Sequence, residues 1–323
     1  MTDTAPDVLV LRNKSHGLEA RDYADLLVER LPNHDVRLAT TTAEERTLIK
    51  HATVVSGVDI DEDLLRHAQD LQLFAGTAAG YNHLPLDTLS KMDVAVTNAS
   101  GIHAPNIAEQ VMGYILLYSR RLREGLARQE RSEWRHYQAE ELMGSTVTIV
   151  GLGSLGTAIT ERLSGFHVDT IGVRYTPAKG GPTDEVIGFD QPDLESALAR
   201  TDYLIVAAPL TDTTRGLLSE EEFMTLPSDA FVVNVGRGQI IDTDALVTAL
   251  RKNHIDGAAL DVTDPEPLPS DHPLWDLENV LITPHNAGHS PKHWDRLATI
   301  VAENVATLTE TGRVGSLENL VQS

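Results

Sequence analysis

The stretch Val147-Thr148-Ile149-Val150-Gly151-Leu152-Gly153-Ser154-Leu155-Gly156 decides how the chain folds. Four apolar or β-branched residues form a buried strand, a Gly-x-Gly-x-x-Gly turn follows at once, and Thr157 to Ser164 reads as a helix. Gly151 permits the tight turn, Gly153 lets the backbone approach a pyrophosphate, and Gly156 lets the helix pack closely on the strand. The helix N-terminus offers its N–H groups to the anion. An ordinary glycine-rich turn between strand and helix shares part of this pattern. What favours a dinucleotide site is the next segment, Asp169-Thr170-Ile171-Gly172-Val173-Arg174, a second strand at the distance a βαβ unit requires.

The end of that second strand bears on the cofactor. In an NAD-binding unit an acid about 20 residues beyond the glycines accepts hydrogen bonds from the ribose hydroxyls and repels a 2′-phosphate. Here the strand ends Arg174-Tyr175-Thr176, and the next acid is Asp184. A guanidinium and two hydroxyls suit a 2′-phosphate. NADP(H) is therefore the expected cofactor, and NAD(H) the alternative should Arg174 only stack on adenine.

Working outward, further strands are expected at Tyr203 to Ala207, Phe231 to Val235, Gly257 to Asp261 and Val280 to Thr283. Upstream, strands at Val8 to Leu11, Val36 to Ala39, Thr53 to Val55, Leu71 to Ala75 and Val94 to Thr97 alternate with helices at Gly17 to Leu31, Thr42 to Lys50 and Asp61 to Ala68. Such alternation means parallel sheets covered on both faces by helices. The fold class is α/β, with two open parallel-sheet domains. Residues 1–100 form the first, completed by 288–323 through a helix from Pro291 to Thr309. Residues 101–287 form the dinucleotide-binding domain, and the two crossings are expected to define one cleft. Between them Pro105 opens a long helix, Asn106 to Arg128, with an apolar stripe of Ile107, Val111, Tyr114, Ile115 and Tyr118. That stripe is wider than one sheet contact needs, so the helix is expected to bridge domains or subunits, and a homodimer is expected. The basic run Arg120, Arg121, Arg123, Arg128, Arg131 reads as a solvated helix end. Lys179 to Pro182 reads as a glycine-rich surface loop.

Composition removes several classes of function. The 323 residues contain no cysteine, which excludes disulfides, thiolate metal sites and a cysteine nucleophile; no metal site is expected. A formal charge of −22 argues against nucleic acid. No run approaches the roughly 18 apolar residues of a membrane span, and Met1 to Asp7 does not resemble a signal peptide. A cytoplasmic protein without membrane contact is expected. Lysines are confined to Lys14, Lys50, Lys91, Lys179, Lys252 and Lys292, while acids are spread along the chain. Such a surface resembles that of halophile proteins, in which counterions screen self-repulsion; the plainer alternative is an acidic cytosolic protein.

In an open parallel sheet, ligands bind outside the carboxyl ends of the strands. Three polar residues follow successive strands there: Arg237 after Phe231 to Gly236, Glu266 after Gly257 to Val262, and His285 after Val280 to Pro284. Arginine suits a carboxylate because its planar fork makes two parallel hydrogen bonds. Histidine exchanges a proton near neutral pH. Singly, each has a plainer reading: a turn residue, an exposed loop acid, and one of 13 histidines. The ordered set behind a dinucleotide loop is harder to produce by accident.

These stretches, with Asn98-Ala99-Ser100-Gly101 leading to Ala108-Glu109, Pro209 to Gly216, Asn234 to Gly238, Ala259 to Leu268 and Thr283-Pro284-His285, resemble the D-2-hydroxyacid dehydrogenase family. The resemblance implies a flavodoxin-like substrate domain and a Rossmann cofactor domain. It implies hydride transfer between a nicotinamide and a 2-keto acid or D-2-hydroxy acid, with His285 as acid/base, Glu266 as its carboxylate partner and Arg237 holding the substrate. Ala79 and Gly80, in the loop Gly76 to Asn82, would offer backbone N–H groups to the substrate carboxylate. Gly151, Gly153, Ser154, Leu155 and Gly156 would meet the cofactor, as would Arg174, Tyr175 and Thr176. Ala208, Pro209, Thr214, Val235 and Gly236 would line its path, and Asp261 and His285 would face the nicotinamide. Relatives of phosphoglycerate, formate, glyoxylate or hydroxypyruvate type share the fold, but no basic cluster for a phosphate stands near Ala79 to Asn82. A dinucleotide-sensing protein of the corepressor type is the alternative from another class.

Overall fold

Alternating side chains along the central strands divide between two apolar layers, so these strands are buried on both faces and must be covered on both. The computed structural model describes residues 6–13, 17–81 and 83–322; residues 1–5, Lys14 and Asn82, which figured above, lie outside the described residues. The strands are β1 (Val8–Val10), β2 (Val36–Leu38), β3 (Val54–Gly57), β4 (Leu73–Gly76), β5 (Ala95–Thr97), β6 (Thr146–Val150), β7 (Asp169–Val173), β8 (Glu185–Ile187), β9 (Tyr203–Val206), β10 (Phe231–Asn234), β11 (Gly257–Leu260), β12 (Val280–Ile282) and β13 (Leu320–Gln322). Among the described residues they form two sheets, ordered β2-β1-β3-β4-β5-β13 and β8-β7-β6-β9-β10-β11-β12. All pairings are parallel except β13 on β5. The first order is flavodoxin-like, and the second is the dinucleotide-binding order with one more strand, reversing between β6 and β9.

The chain divides into two compact units, one running to Ile102 and resuming at His289, the other His103–Gly288. In the first, Val8 and Val10 point to a core shared with Tyr23, Leu27, Trp294 and Val301. Leu9 and Leu11 point to the opposite core with Ile49, Phe74 and Leu89. The helix His293–Thr311 lies on the helix Ala20–Arg30, with Tyr23 stacked on Trp294 at 4.7 Å and Arg30 paired to Asp295. In the second unit Ile149, Ile205 and Val233 face one core, and Val150, Val206 and Val232 the other.

Three expectations need correction. The helix after the glycine turn starts at Ser154, not Thr157, so Gly156 lies inside it. The long helix from Asn106 is two, Ala104–Ser119 and Leu122–Glu130, broken where Arg121 turns left-handed with φ +49°. The wide stripe of the first is absorbed within its own unit, where Val111, Tyr114 and Ile115 join Ile149, Ile159 and Val233, and Tyr118 stacks on Phe231 at 4.0 Å. The arginines around the break are not simply solvated. Arg120 donates to the Glu140 carbonyl, Arg123 to that of Val280, and Arg128 to those of Arg135 and His136. Arg120 and Arg128 thereby tie down a segment, 132–143, that has no helix or strand of its own. Among the described residues no helix is long and apolar enough to cross a membrane.

Candidate active site

The glycine turn after β6 stands beside the point where strand order reverses. Gly151 has φ +102°, and a Cβ there would lie 2.7 Å from Cα of Ala208, at the end of β9. A Cβ on Gly156 would lie 1.9 Å from the Gly151 carbonyl oxygen. Both are therefore confined by backbone. Gly153 differs: apart from its chain neighbours, nothing lies within 4 Å of its Cβ position. It is the N-cap of the helix Ser154–Leu163 and has no side chain to satisfy the first N–H groups. One open side, a close backbone and free helix N–H groups fit a pyrophosphate.

Beyond β7, Arg174 is half-buried while Tyr175 and Thr176 are exposed. Arg174 Nη1 donates to the Gly180 carbonyl, in the loop that follows the short helix Pro177–Lys179. One of the five guanidinium donors thus anchors the side chain to the loop, and the others remain for a ligand. Thr214 is buried, and its hydroxyl donates to the Pro209 carbonyl at 2.7 Å, closing the turn after β9.

The loops after β10, β11 and β12 are knitted to one another. Gly236 packs so closely on Ala208 that a Cβ would lie 2.7 Å from its carbonyl oxygen, and one on Gly238 would lie 2.0 Å from that of Thr263. Asn234 accepts from the Gly236 N–H and donates to the Arg237 carbonyl, which fixes the turn carrying Arg237. The Arg237 side chain is exposed and donates to the Gly236 carbonyl at 2.7 Å. Gln239 reaches Asp264 at 3.1 Å, joining this turn to the loop of Glu266.

His285 and Glu266 meet: Nδ1 lies 2.6 Å from Oε1. A carboxylate only accepts, so Nδ1 carries the proton and Nε2 is left for another group. Both side chains are about half exposed, at 50% and 41%. His285 has φ +52°, a left-handed conformation that costs a β-carbon residue roughly 1–2 kcal/mol. Asp261, 4% exposed, has a role that spacing alone did not reveal. Its carboxylate accepts from the Thr283 hydroxyl at 2.5 Å and from the N–H groups of Asn286 and Ala287 at 2.9 Å.

In the first unit, Ala79 and Gly80 are exposed in the loop after β4. Asn98 donates to the Ala79 carbonyl at 2.7 Å and Ala99 N–H to that of Ala78 at 3.1 Å. These bonds hold the two carbonyls against the residues that follow β5.

The chain is similar to known proteins. The family model described as D-isomer specific 2-hydroxyacid dehydrogenase, NAD binding domain, matches residues 112–287. A glyoxylate reductase of Thermofilum pendens is 33% identical over 253 residues, 76% of this chain and 74% of its own length. A glyoxylate/hydroxypyruvate reductase B of Pectobacterium carotovorum is 31% identical over 94% of this chain and 95% of its own. A solved D-isomer specific 2-hydroxyacid dehydrogenase of Xanthobacter autotrophicus, in complex with NADPH and MES, superposes with a TM-score of 0.81 over 98% of each chain at 28% identity. The chain thus belongs to the D-isomer specific 2-hydroxyacid dehydrogenase family, oxidoreductases that move a hydride between a nicotinamide and a 2-hydroxy or 2-keto acid.

Proposed function

We propose that this chain reduces a small 2-keto acid such as glyoxylate or hydroxypyruvate to the corresponding 2-hydroxy acid, of D configuration where the product is chiral, with NADPH preferred over NADH. The observation that carries this reading is the His285–Glu266 pair at 2.6 Å, on loops knitted to the turn of Arg237. Nicotinamide, when bound, supplies the hydride. Arg237 holds the substrate carboxylate and carbonyl through its forked donors, and the N–H groups of Ala79 and Gly80 take the carboxylate. His285 gives its Nε2 proton to the oxygen that gains charge, while Glu266 orients the ring through Nδ1. Arg237 stabilises the developing charge, because its cation is in place before the charge forms.

Support for a small, unphosphorylated substrate comes from the loop Gly76 to Tyr81, which has no cation, and from relatives named glyoxylate reductase. Support for NADPH comes from Arg174 in the place of the ribose-binding acid, and from the NADPH complex of a structural relative. Support for a homodimer comes from large apolar side chains left exposed along the segment 122–143: Leu122, Leu126, Trp134 and Met143 are 46%, 58%, 99% and 64% exposed.

Steady-state turnover on a panel of 2-keto acids, with NADPH and NADH in parallel, tests the reading. Glyoxylate or hydroxypyruvate should give the highest kcat/KM. Tight NADPH binding with no turnover of any acid would instead assign the fold to a dinucleotide sensor.

A further inference from the structure

Behind His285 runs a line of hydrogen bonds that none of the roles above uses. Thr283 Oγ1 lies 2.5 Å from Asp261 Oδ1, Tyr114 Oη lies 2.5 Å from Thr283 Oγ1, and Gln110 Nε2 lies 3.1 Å from Tyr114 Oη. Their direction follows from elementary donor chemistry. The Asp261 carboxylate only accepts, so Thr283 donates to it. With its proton so placed, the Thr283 oxygen receives the Tyr114 proton, and Tyr114 in turn accepts from the Gln110 amide.

Asp261 passes this order on. Its carboxylate takes the N–H groups of Asn286 and Ala287, and its backbone carbonyl takes that of His285 at 2.8 Å. Three successive amides therefore end on one residue, and the first belongs to a histidine held left-handed at φ +52°. A conformation of that kind persists only where its surroundings over-determine it. Tyr114 is 3% exposed and Asp261 4%, and in so dry a setting linked hydrogen bonds strengthen one another. Burial pushes the Tyr114 phenol above the usual tyrosine range, so it remains a donor. Packing does not require that hydroxyl: the neighbouring helix positions Ala108, Val111 and Ile115 join the same core with apolar side chains alone.

We propose that Tyr114 and Thr283 are positioning residues for the reaction: through Asp261 they hold the 285–287 turn so that the His285 imidazole reaches the reacting oxygen. The proposal rests on the reading of His285 as the acid/base group. It also gives Asp261 a task within the chain, whatever it contributes to the nicotinamide.

The test uses the full-length enzyme with saturating NADPH and the best keto acid of the panel, in Tyr114→Phe, Thr283→Val, Thr283→Ser and the double variant Tyr114→Phe/Thr283→Val. Because misplacing a reacting group by about 1 Å costs up to ~100-fold, Tyr114→Phe and Thr283→Val should each lower kcat on the order of tenfold. NADPH affinity should not change. Thr283→Ser, which keeps the hydroxyl, should restore kcat, and the double variant should be no slower than the slower single one, since one cut already breaks the line. Wild-type kcat in both single variants, a loss confined to KM or NADPH affinity, or losses that multiply in the double variant would each overturn the proposal. Should Tyr114→Phe fail to fold, Thr283→Val against Thr283→Ser makes the same comparison. His285→Asn is measured alongside. If it retains full turnover, the reading of His285 falls and this proposal with it; if it is inactive while Tyr114→Phe and Thr283→Val are normal, only this proposal falls.

Discussion

Glu266 accepts the Nδ1 proton of His285 at 2.6 Å although the two residues leave different strands and neither is buried. The pairing leaves Nε2 as the ring nitrogen that Glu266 does not engage, and the ring cannot flip without breaking a charge-assisted bond. Under the proposed mechanism, Nε2 is therefore the atom that exchanges a proton with substrate.

A proton donor in one direction is a proton acceptor in the other. Keto-acid reduction should therefore decline as pH rises and hydroxy-acid oxidation should decline as pH falls, in profiles of opposite slope. His285→Ala should lower kcat by roughly 10²–10⁴, the range of general acid–base catalysis, and leave NADPH binding intact. Profiles of the same slope in both directions would count against a proton at Nε2.

Arg174 is tied by one donor to the Gly180 carbonyl and stands where a ribose-binding acid would repel a phosphate. Arg174→Asp should raise KM for NADPH by on the order of tenfold or more, the scale of losing a charge-assisted hydrogen bond, and change KM for NADH little. If the unmodified enzyme prefers NADH, the NADPH assignment is wrong at its first step.

Tyrosines make the second unit sensitive to alkali. Burial raises Tyr114, Tyr118 and Tyr203 above the usual phenol range; Tyr203 is pushed up to about 12, by burial first and the Asp202 charge second. In the unfolded chain a tyrosine ionises near 10. The neutral form is thus favoured by folding, and its stabilisation is whole below about pH 10 and lost as pH rises through the folded values. Circular dichroism and tyrosinate absorbance followed together should show a late, joint transition. Ionisation of all tyrosines near pH 10 with the fold intact would contradict it.

The acidic, lysine-poor surface gives the fourth prediction. At a charge of −22, self-repulsion should be relieved as KCl approaches molar concentration, where the Debye length is about 3 Å. Thermal midpoint and activity should both rise. A protein fully stable and active in dilute buffer would remove the case for salt adaptation.

The strand, turn and helix from Thr146 to Leu163 were legible because strand burial and the glycine spacing leave local marks. The same holds for Arg237, Glu266 and His285, each just past a recognisable strand. Two edge strands, Glu185–Ile187 and Leu320–Gln322, escaped because three residues carry too little periodicity. The break at Arg121 escaped because apolar spacing continues across it at Leu122 and Leu126, and a single left-handed residue leaves no mark in that spacing. Asp261 was named only for the cofactor. Its hold on the 285–287 turn, and the bond from Tyr114 to a threonine 169 residues away, have no local signature.

The pairing of β13 with β5 and of the helix His293–Thr311 with Ala20–Arg30 sets an order of events during synthesis. The unit His103–Gly288 is continuous and can close its core as soon as it has left the ribosome. The other unit must keep Val8, Val10, Tyr23 and Leu27 uncovered until Trp294 and Val301 have been made. At about 5–20 residues per second that wait is on the order of 15–60 s. During it the nascent chain exposes an apolar sheet face to whatever else the cell is making, so the first third of the sequence to be translated is the last to be safe from aggregation.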